Sequence, residues 1–186
     1  MGCLKAIITD FDGTLVDTIE ANVAAYKQTF IVLGLPFDEK KYRASYGLRV
    51  DHMIKEQGID ESWLPKIKKL KSEIYPQCFK YTKLNKSLLE FIKYSKSQGL
   101  VTCIASTAAK TNLINILKYF NILDVFDYII SGEDVVNGKP DPEVYNKALE
   151  KCQCKPHEAI TFEDSTVGVK SAVAAGLNYM IVKFNE

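Results

Sequence analysis

The sequence lacks a charge excess of either sign: 24 Lys and Arg stand against 23 Asp and Glu, for a formal net charge of +1. Nothing in that balance advertises a polyanion-binding face, so nucleic acid and anionic membrane are set aside as partners. The densest basic run, Lys66, Lys68, Lys69 and Lys71, reads as a solvated helix face. No apolar stretch approaches the ~20 residues needed to cross a bilayer. No signal peptide precedes the first apolar run. Met1-Gly2 does not complete a myristoylation start, because Ala6 stands where Ser or Thr is required. The five cysteines are an odd number without a framework spacing. Cys152-Gln153-Cys154 is too tight for a zinc or redox C-x-x-C pair, and no second pair or histidine cluster answers it. Reduced thiols in a soluble cytoplasmic protein are the expectation. Internal repeats and low-complexity linkers are also missing.

What the chain does contain is an alternation of short apolar runs and helical stripes. Leu4–Thr9 is a β-branched run cut off by Asp10-Phe11-Asp12-Gly13, which reads as a buried strand ending in a turn. Asp17 with Glu20 three residues on resembles a capping box and opens a helix to about Leu33. From Glu39 to Phe79 the pattern is helical but broken, punctuated by Gly47, Gly58, Pro65 and Pro76. Positions 88, 91, 92 and 95 then form a helical stripe, apolar but for Ser95, closed by Gly99. Strands are predicted at Leu100–Ala105, Asp127–Ile130, Ala159–Phe162 and Tyr179–Val182. Helices are predicted around Leu113–Phe120, Val144–Cys152 and Thr166–Ala175.

That order predicts an α/β fold: a Rossmann-like, doubly wound parallel sheet covered on both faces. The helical stretch after the first strand interrupts the alternation and reads as an inserted α-helical cap. The expected organisation is a core of residues 1–15 and 82–186 with a cap of residues 16–81.

In such sheets, ligands bind beyond the carboxyl ends of the strands. The residues there are Asp10, Asp12 and Thr14 after the first strand, and Ser106 and Thr107 after the second. Lys139 lies in the loop beyond the third, and Glu163 and Asp164 follow the fourth. Carboxylates, hydroxyls and one lysine suit a phosphoryl group and a hard divalent cation. A carboxylate can attack phosphorus and split one hard step into two. A second carboxyl two residues on can protonate the leaving oxygen and then take a proton from the incoming water or alcohol. Mg²⁺ takes oxygen ligands, commonly one or two carboxylates plus substrate phosphate, and Asp10 and Asp164 can supply the carboxylates. Ser106 and Lys139 can hold the phosphoryl oxygens. An EF-hand reading fails because Thr14, Leu15 and Ala21 occupy the positions that need an acid, Gly and Glu. A Walker A reading of Gly132–Lys139 fails on spacing and on Pro140.

Asp10-Phe-Asp-Gly-Thr-Leu, Ile104-Ala-Ser106, Gly138-Lys-Pro-Asp-Pro-Glu and Phe162-Glu-Asp-Ser-Thr-Val-Gly together resemble the four motifs of the haloacid dehalogenase superfamily. The resemblance spans nearly the whole chain and is greatest for the β-phosphoglucomutase-like and phosphoglycolate phosphatase-like branch. It implies Asp10 as nucleophile and Asp12 as general acid/base. It implies Mg²⁺ held by Asp10, the main-chain carbonyl of Asp12 and Asp164, with help from Glu163, and phosphate contacts from Ser106, Thr107 and Lys139. Dehalogenases of the family lack a carboxylate at the position of Asp12, so that activity is not implied. Hexose-phosphate mutases carry a histidine on the helix leading into the cap, where Asn22 stands here. The expected function is therefore a Mg²⁺-dependent phosphatase of a small phosphorylated metabolite, working as a monomer or weak homodimer. A sugar-phosphate mutase is the alternative, and a non-catalytic binding protein on the same scaffold a third reading. Arg49, Asn22 and Lys110 are candidate substrate contacts.

Overall fold

A computed structural model describes residues 3–46 and 50–184. The chain divides into two compact units, Met1–Asp17 with Leu84–Glu186, and Thr18–Lys83.

The larger unit is built on five parallel strands. They are β1 (Ala6–Thr9), β4 (Val101–Ala105), β5 (Tyr128–Ile130), β6 (Ala159–Glu163) and β7 (Asn178–Ile181), in the spatial order β5-β4-β1-β6-β7. The two-residue strands β2 (Val16–Asp17) and β3 (Lys83–Leu84) form a separate small ladder where the chain leaves and re-enters this unit. Central β1 is buried along its whole length, as a parallel strand covered on both faces must be. Its register sets Thr9 beside Ile104 on one flank and beside Phe162 on the other.

Between the strands run α5 (Lys86–Ser97), α6 (Lys110–Tyr119), α7 (Glu143–Lys151) and α8 (Thr166–Ala174). Asn85 caps α5 by accepting the Leu88 N–H, and Ser165 caps α8 by accepting that of Gly168. Helix α7 buries Val144, Tyr145, Ala148 and Leu149 into a core shared with Ile8, Cys103 and Ala172. The stripe predicted on α5 holds at Leu88, Ile92 and Ser95 and differs at one position: Leu89 is buried, whereas Phe91 is 45% exposed and makes an edge-type ring contact with Phe162.

One expectation about the sheet is corrected. All four residues of β7 are exposed, with Ile181 at 60%. As an edge strand, β7 pairs only with β6 and is not covered on both faces.

The smaller unit comprises α1 (Ile19–Leu33), α2 (Glu39–Ala44), α3 (Val50–Glu56) and α4 (Leu64–Ile74), followed by a 3-10 stretch Tyr75–Tyr81. Its core joins Val23, Phe30, Tyr42, Met53, Ile54, Ile59 and Ile67. Two local expectations change here. The N-cap of α1 is Thr18, without a side-chain cap bond, so the Asp17/Glu20 capping box does not form. The Thr18 hydroxyl is engaged with the Tyr46 hydroxyl at 2.5 Å, and the Glu20 carboxylate takes both terminal nitrogens of Arg43 at 2.7 and 2.9 Å. Pro65 and Pro76 punctuate this stretch as expected: each sits in a first turn, where no intrahelical N–H is lost, and so starts a helical segment. Lys71 is buried, its ammonium 3.3 Å from the Tyr75 ring centroid and 5.3 Å from that of Tyr26, so the basic run is not wholly a solvated face. No helix among the described residues is long and apolar enough to cross a membrane.

Candidate active site

The site grows out of the sheet register. Because Thr9 pairs with Phe162, the next residues along, Asp10 just past β1 and Glu163 at the end of β6, stand side by side at the carboxyl ends of the strands. The Asp10 N–H donates to the Phe162 carbonyl at 2.9 Å, which holds the start of the loop on the sheet edge. The loop then folds back at once: the N–H groups of Leu15 and Val16 both donate to the Phe11 carbonyl, and Gly13 N–H donates to Val16. Gly13 sits at φ +88°, and a Cβ there would lie 2.2 Å from Asp164 Oδ2. This close approach brings Asp164 against the turn, where the Thr14 hydroxyl donates to its Oδ1 at 3.0 Å. Asp12 is half-buried in the same turn and bridges to Val16.

Lys139 arrives from the β5–α7 loop, which an acid of the loop and the first residue of α7 brace. Asp134 accepts from the N–H and hydroxyl of Ser131, and Glu143 accepts the N–H groups of Val136 and Asn137. The Lys139 ammonium donates to Asp10 Oδ1 at 2.6 Å, to Glu163 Oε1 at 2.6 Å and to the Ala105 carbonyl at 3.1 Å. All three of its hydrogens are thereby used. Tyr145 lies under it, with the ammonium 4.9 Å from the ring centroid, and its hydroxyl donates to the same Glu163 oxygen at 2.5 Å. Glu163 is wholly buried and packs against Gly168, where any Cβ would fall 2.0 Å from both carboxylate oxygens.

Asp10, Glu163 and Asp164 each offer an oxygen lying within 4.8 Å of the others. Three carboxylates facing one ammonium leave an excess of negative charge, and the side-chain energetics report it. Burial pushes Asp10 up to about 8, with Lys139 pulling it down and Glu163 and Asp164 pushing it further up. Burial also raises Asp164 against the hydrogen bond from Thr14. Burial works to lower Lys139, but Asp10, Tyr145 and Glu163 outweigh it and hold the ammonium well above its ordinary value. The donors are all hard oxygens around a space of net negative charge, which fits a hard divalent cation such as Mg²⁺.

The remaining sequence candidates fall in different places. Ser106 is buried at the end of β4, its N–H donating to Ile130 and its Oγ accepting the Ala108 N–H at 3.0 Å. Thr107, half-buried, follows it. Lys110 turns to the β5–α7 loop: its N–H donates to Glu133 and its ammonium lies 3.8 Å from Asp134. Asn22 is buried in the smaller unit, and its side-chain amide donates to the Thr18 carbonyl at 3.0 Å. Arg49 lies outside the described residues. The sequence reading missed Tyr145, which was absorbed into the apolar stripe of α7. No signal in the local spacing singles it out, because its position is that of the buried stripe.

The chain belongs to the haloacid dehalogenase-like hydrolase family, whose sequence model matches residues 7–182. A phosphorylated carbohydrates phosphatase of Thermotoga maritima is 28% identical over 181 residues, covering 94% of this chain and 82% of the relative. Protein CbbY of Rhodobacter capsulatus is 31% identical over 192 residues, covering 96% and 85%. The crystal structure of CbbY from Rhodobacter sphaeroides in complex with phosphate is similar with a TM-score of 0.87 at 28% identity, over 98% of this chain and 87% of that one.

Proposed function

We propose that this chain is a Mg²⁺-dependent phosphatase of small phosphorylated metabolites, sugar phosphates foremost, that works through an aspartyl-phosphate on Asp10. The observation that carries the reading is the pairing of Lys139 with both Asp10 and Glu163 beside Asp164. A buried nucleophile, a phosphate-neutralising ammonium and a cation site are then within one another's reach. The Thermotoga maritima relative named as a phosphatase of phosphorylated carbohydrates, and the phosphate complex of CbbY, support the substrate class.

In the first half-reaction an Asp10 carboxylate oxygen attacks phosphorus while the Asp12 carboxyl gives its proton to the departing alkoxide. In the second, Asp12 takes a proton from water as that water attacks the phosphoryl group, releasing inorganic phosphate and regenerating Asp10. Ser106, Thr107 and Lys139 hold the phosphoryl oxygens through both steps and offset their charge. Asp10, the Asp12 carbonyl and Asp164, with Glu163 beside them, would hold Mg²⁺, which would supply positive charge to offset that of the transferred group. Burial raises the proton affinity of Asp10 against the pull of Lys139, and a bound cation would favour its ionised form for attack.

Water, not a sugar hydroxyl, is the proposed acceptor. The Asn22 amide nitrogen is committed to Thr18 within its own helix, and no histidine stands at that position to manage a sugar hydroxyl. Under this reading the enzyme is cytoplasmic and monomeric or weakly dimeric. Incubation with Mg²⁺ and a panel of sugar and organic-acid monophosphates, read as released phosphate, tests the proposal. One arm contains β-glucose 1-phosphate with glucose 1,6-bisphosphate. Free phosphate is expected without any bisphosphate primer. Glucose 6-phosphate accumulating with little free phosphate would establish the mutase instead.

A further inference from the structure

Glu163 Oε1 accepts two short hydrogen bonds at once, from Lys139 at 2.6 Å and from Tyr145 at 2.5 Å. Among the described residues its other oxygen receives a single, long bond, from Ser165 at 3.3 Å. The carboxylate has no access to water and cannot retreat. It is wholly buried, and its two oxygens already rest against the Cα of Gly168. Lys139 meanwhile spends all three hydrogens on Asp10, Glu163 and the Ala105 carbonyl. An incoming phosphoryl oxygen can be bound by this ammonium only if one of those contacts is released. Releasing Glu163 would ordinarily strand a buried carboxylate, and that penalty would be subtracted from substrate affinity.

We propose that Tyr145 is a positioning residue: its hydroxyl keeps a donor on Glu163 so that Lys139 can turn to the substrate's phosphoryl group. Placement favours this role. Tyr145 is wholly buried on α7, so its ring has no freedom to swing away, and the ring face lies under the ammonium it serves. The segment of chain that delivers Lys139 also delivers the hydroxyl that covers for it. The inference rests on the phosphatase reading, because it assigns Lys139 to phosphate.

The test is a double-substitution cycle with Tyr145→Phe and Glu163→Gln, read by calorimetric titration of inorganic phosphate in saturating Mg²⁺ and by steady-state kinetics. Tyr145→Phe removes one hydroxyl and keeps the ring. It is expected to weaken phosphate binding about tenfold or more, as for a hydrogen bond to a charged group, and to raise KM in parallel. In the Glu163→Gln background no buried charge is left to satisfy, so adding Tyr145→Phe should cost less than twofold further. A hydroxyl with a merely structural role would lower the melting temperature and leave phosphate affinity of the folded enzyme unchanged. Phosphate binding by Tyr145→Phe within twofold of the parent overturns the inference alone. So do losses that simply multiply in the double variant, since the cycle sets the loss from Tyr145→Phe in the parent against its loss in the Glu163→Gln background. A parent enzyme that binds no phosphate and hydrolyses no phosphomonoester overturns the phosphatase reading, and this inference with it.

Discussion

Gly13 and Asp164 compete for the same space: a Cβ on Gly13 would lie 2.2 Å from the carboxylate oxygen of Asp164, at a backbone φ of +88°. The turn after β1 and the acid after β6 are thus a fitted pair. Gly13→Ala combines a left-handed backbone strain with a collision against a group that Thr14 holds in place. It should destabilise the protein by about 2–4 kcal/mol. It should also displace Asp164, so a raised Mg²⁺ requirement is expected together with a lower melting temperature. A variant melting with the parent would show that the turn can relax without moving Asp164.

Asp10→Asn should fold and lose turnover by a factor on the order of 10³–10⁶, because an amide cannot form the acyl phosphate. Phosphate release on the best substrate found checks this. Retention of more than a tenth of parental activity would place the nucleophile elsewhere.

The same substitution should have an opposite effect on stability. Asp10 binds its proton more tightly when folded, with a value of about 8, than when unfolded, at about 4. Its contribution to stability is therefore fully present below about pH 4 and is lost as pH rises towards 8. Asp164 is shifted in the same direction. Metal-free Asp10→Asn should consequently gain on the parent between pH 5 and pH 8, by about 1–3 kcal/mol at the upper end, or several degrees in Tm. Mg²⁺ should shrink that difference. Thermal melts in EDTA at both pH values decide it, and a gap that narrows with rising pH contradicts the assignment.

Asp164→Ala should weaken Mg²⁺ binding while leaving the Lys139–Asp10 pair intact, so its activity defect should diminish at high Mg²⁺. Calcium should inhibit, since its larger and looser coordination shell disturbs in-line transfer. Full activity after EDTA treatment would remove the metal from the mechanism.

Much of this arrangement is legible in the sequence because strand ends are. Asp10, Glu163 and Asp164 follow short β-branched or apolar runs, and in a parallel sheet such positions meet at one edge. Lys139 is readable for the same reason, once the loop after the third predicted strand is seen to end at a proline-rich helix start. Tyr145 is not readable that way. Its spacing with Val144, Ala148 and Leu149 is that of an ordinary buried stripe, and only the third dimension places its hydroxyl on Glu163. The capping box at Asp17 and Glu20 fails for a related reason. Local spacing favours it, but Arg43, 23 residues away, captures Glu20 with two hydrogen bonds. The exposure of β7 likewise escapes a local reading, since Tyr179, Met180 and Ile181 are apolar enough for an interior strand and become exposed only through their place at the sheet edge.

The pairing of Thr9 with Phe162 has a consequence for how this protein can vary. Side chains alternate along a strand, so inserting or deleting one residue within β6 would carry Phe162 or Asp164 into the place of Glu163 and turn alternate residues to the opposite layer. Length changes in a surface loop are absorbed where they occur and shift nothing downstream. In a library of random single-codon insertions and deletions, survivors should accumulate in exposed connections such as the turn after α5, and be absent from β1 and β6. The two strands behave as a reading frame for the chemistry at their ends, tolerant of many exchanged letters and intolerant of a changed count.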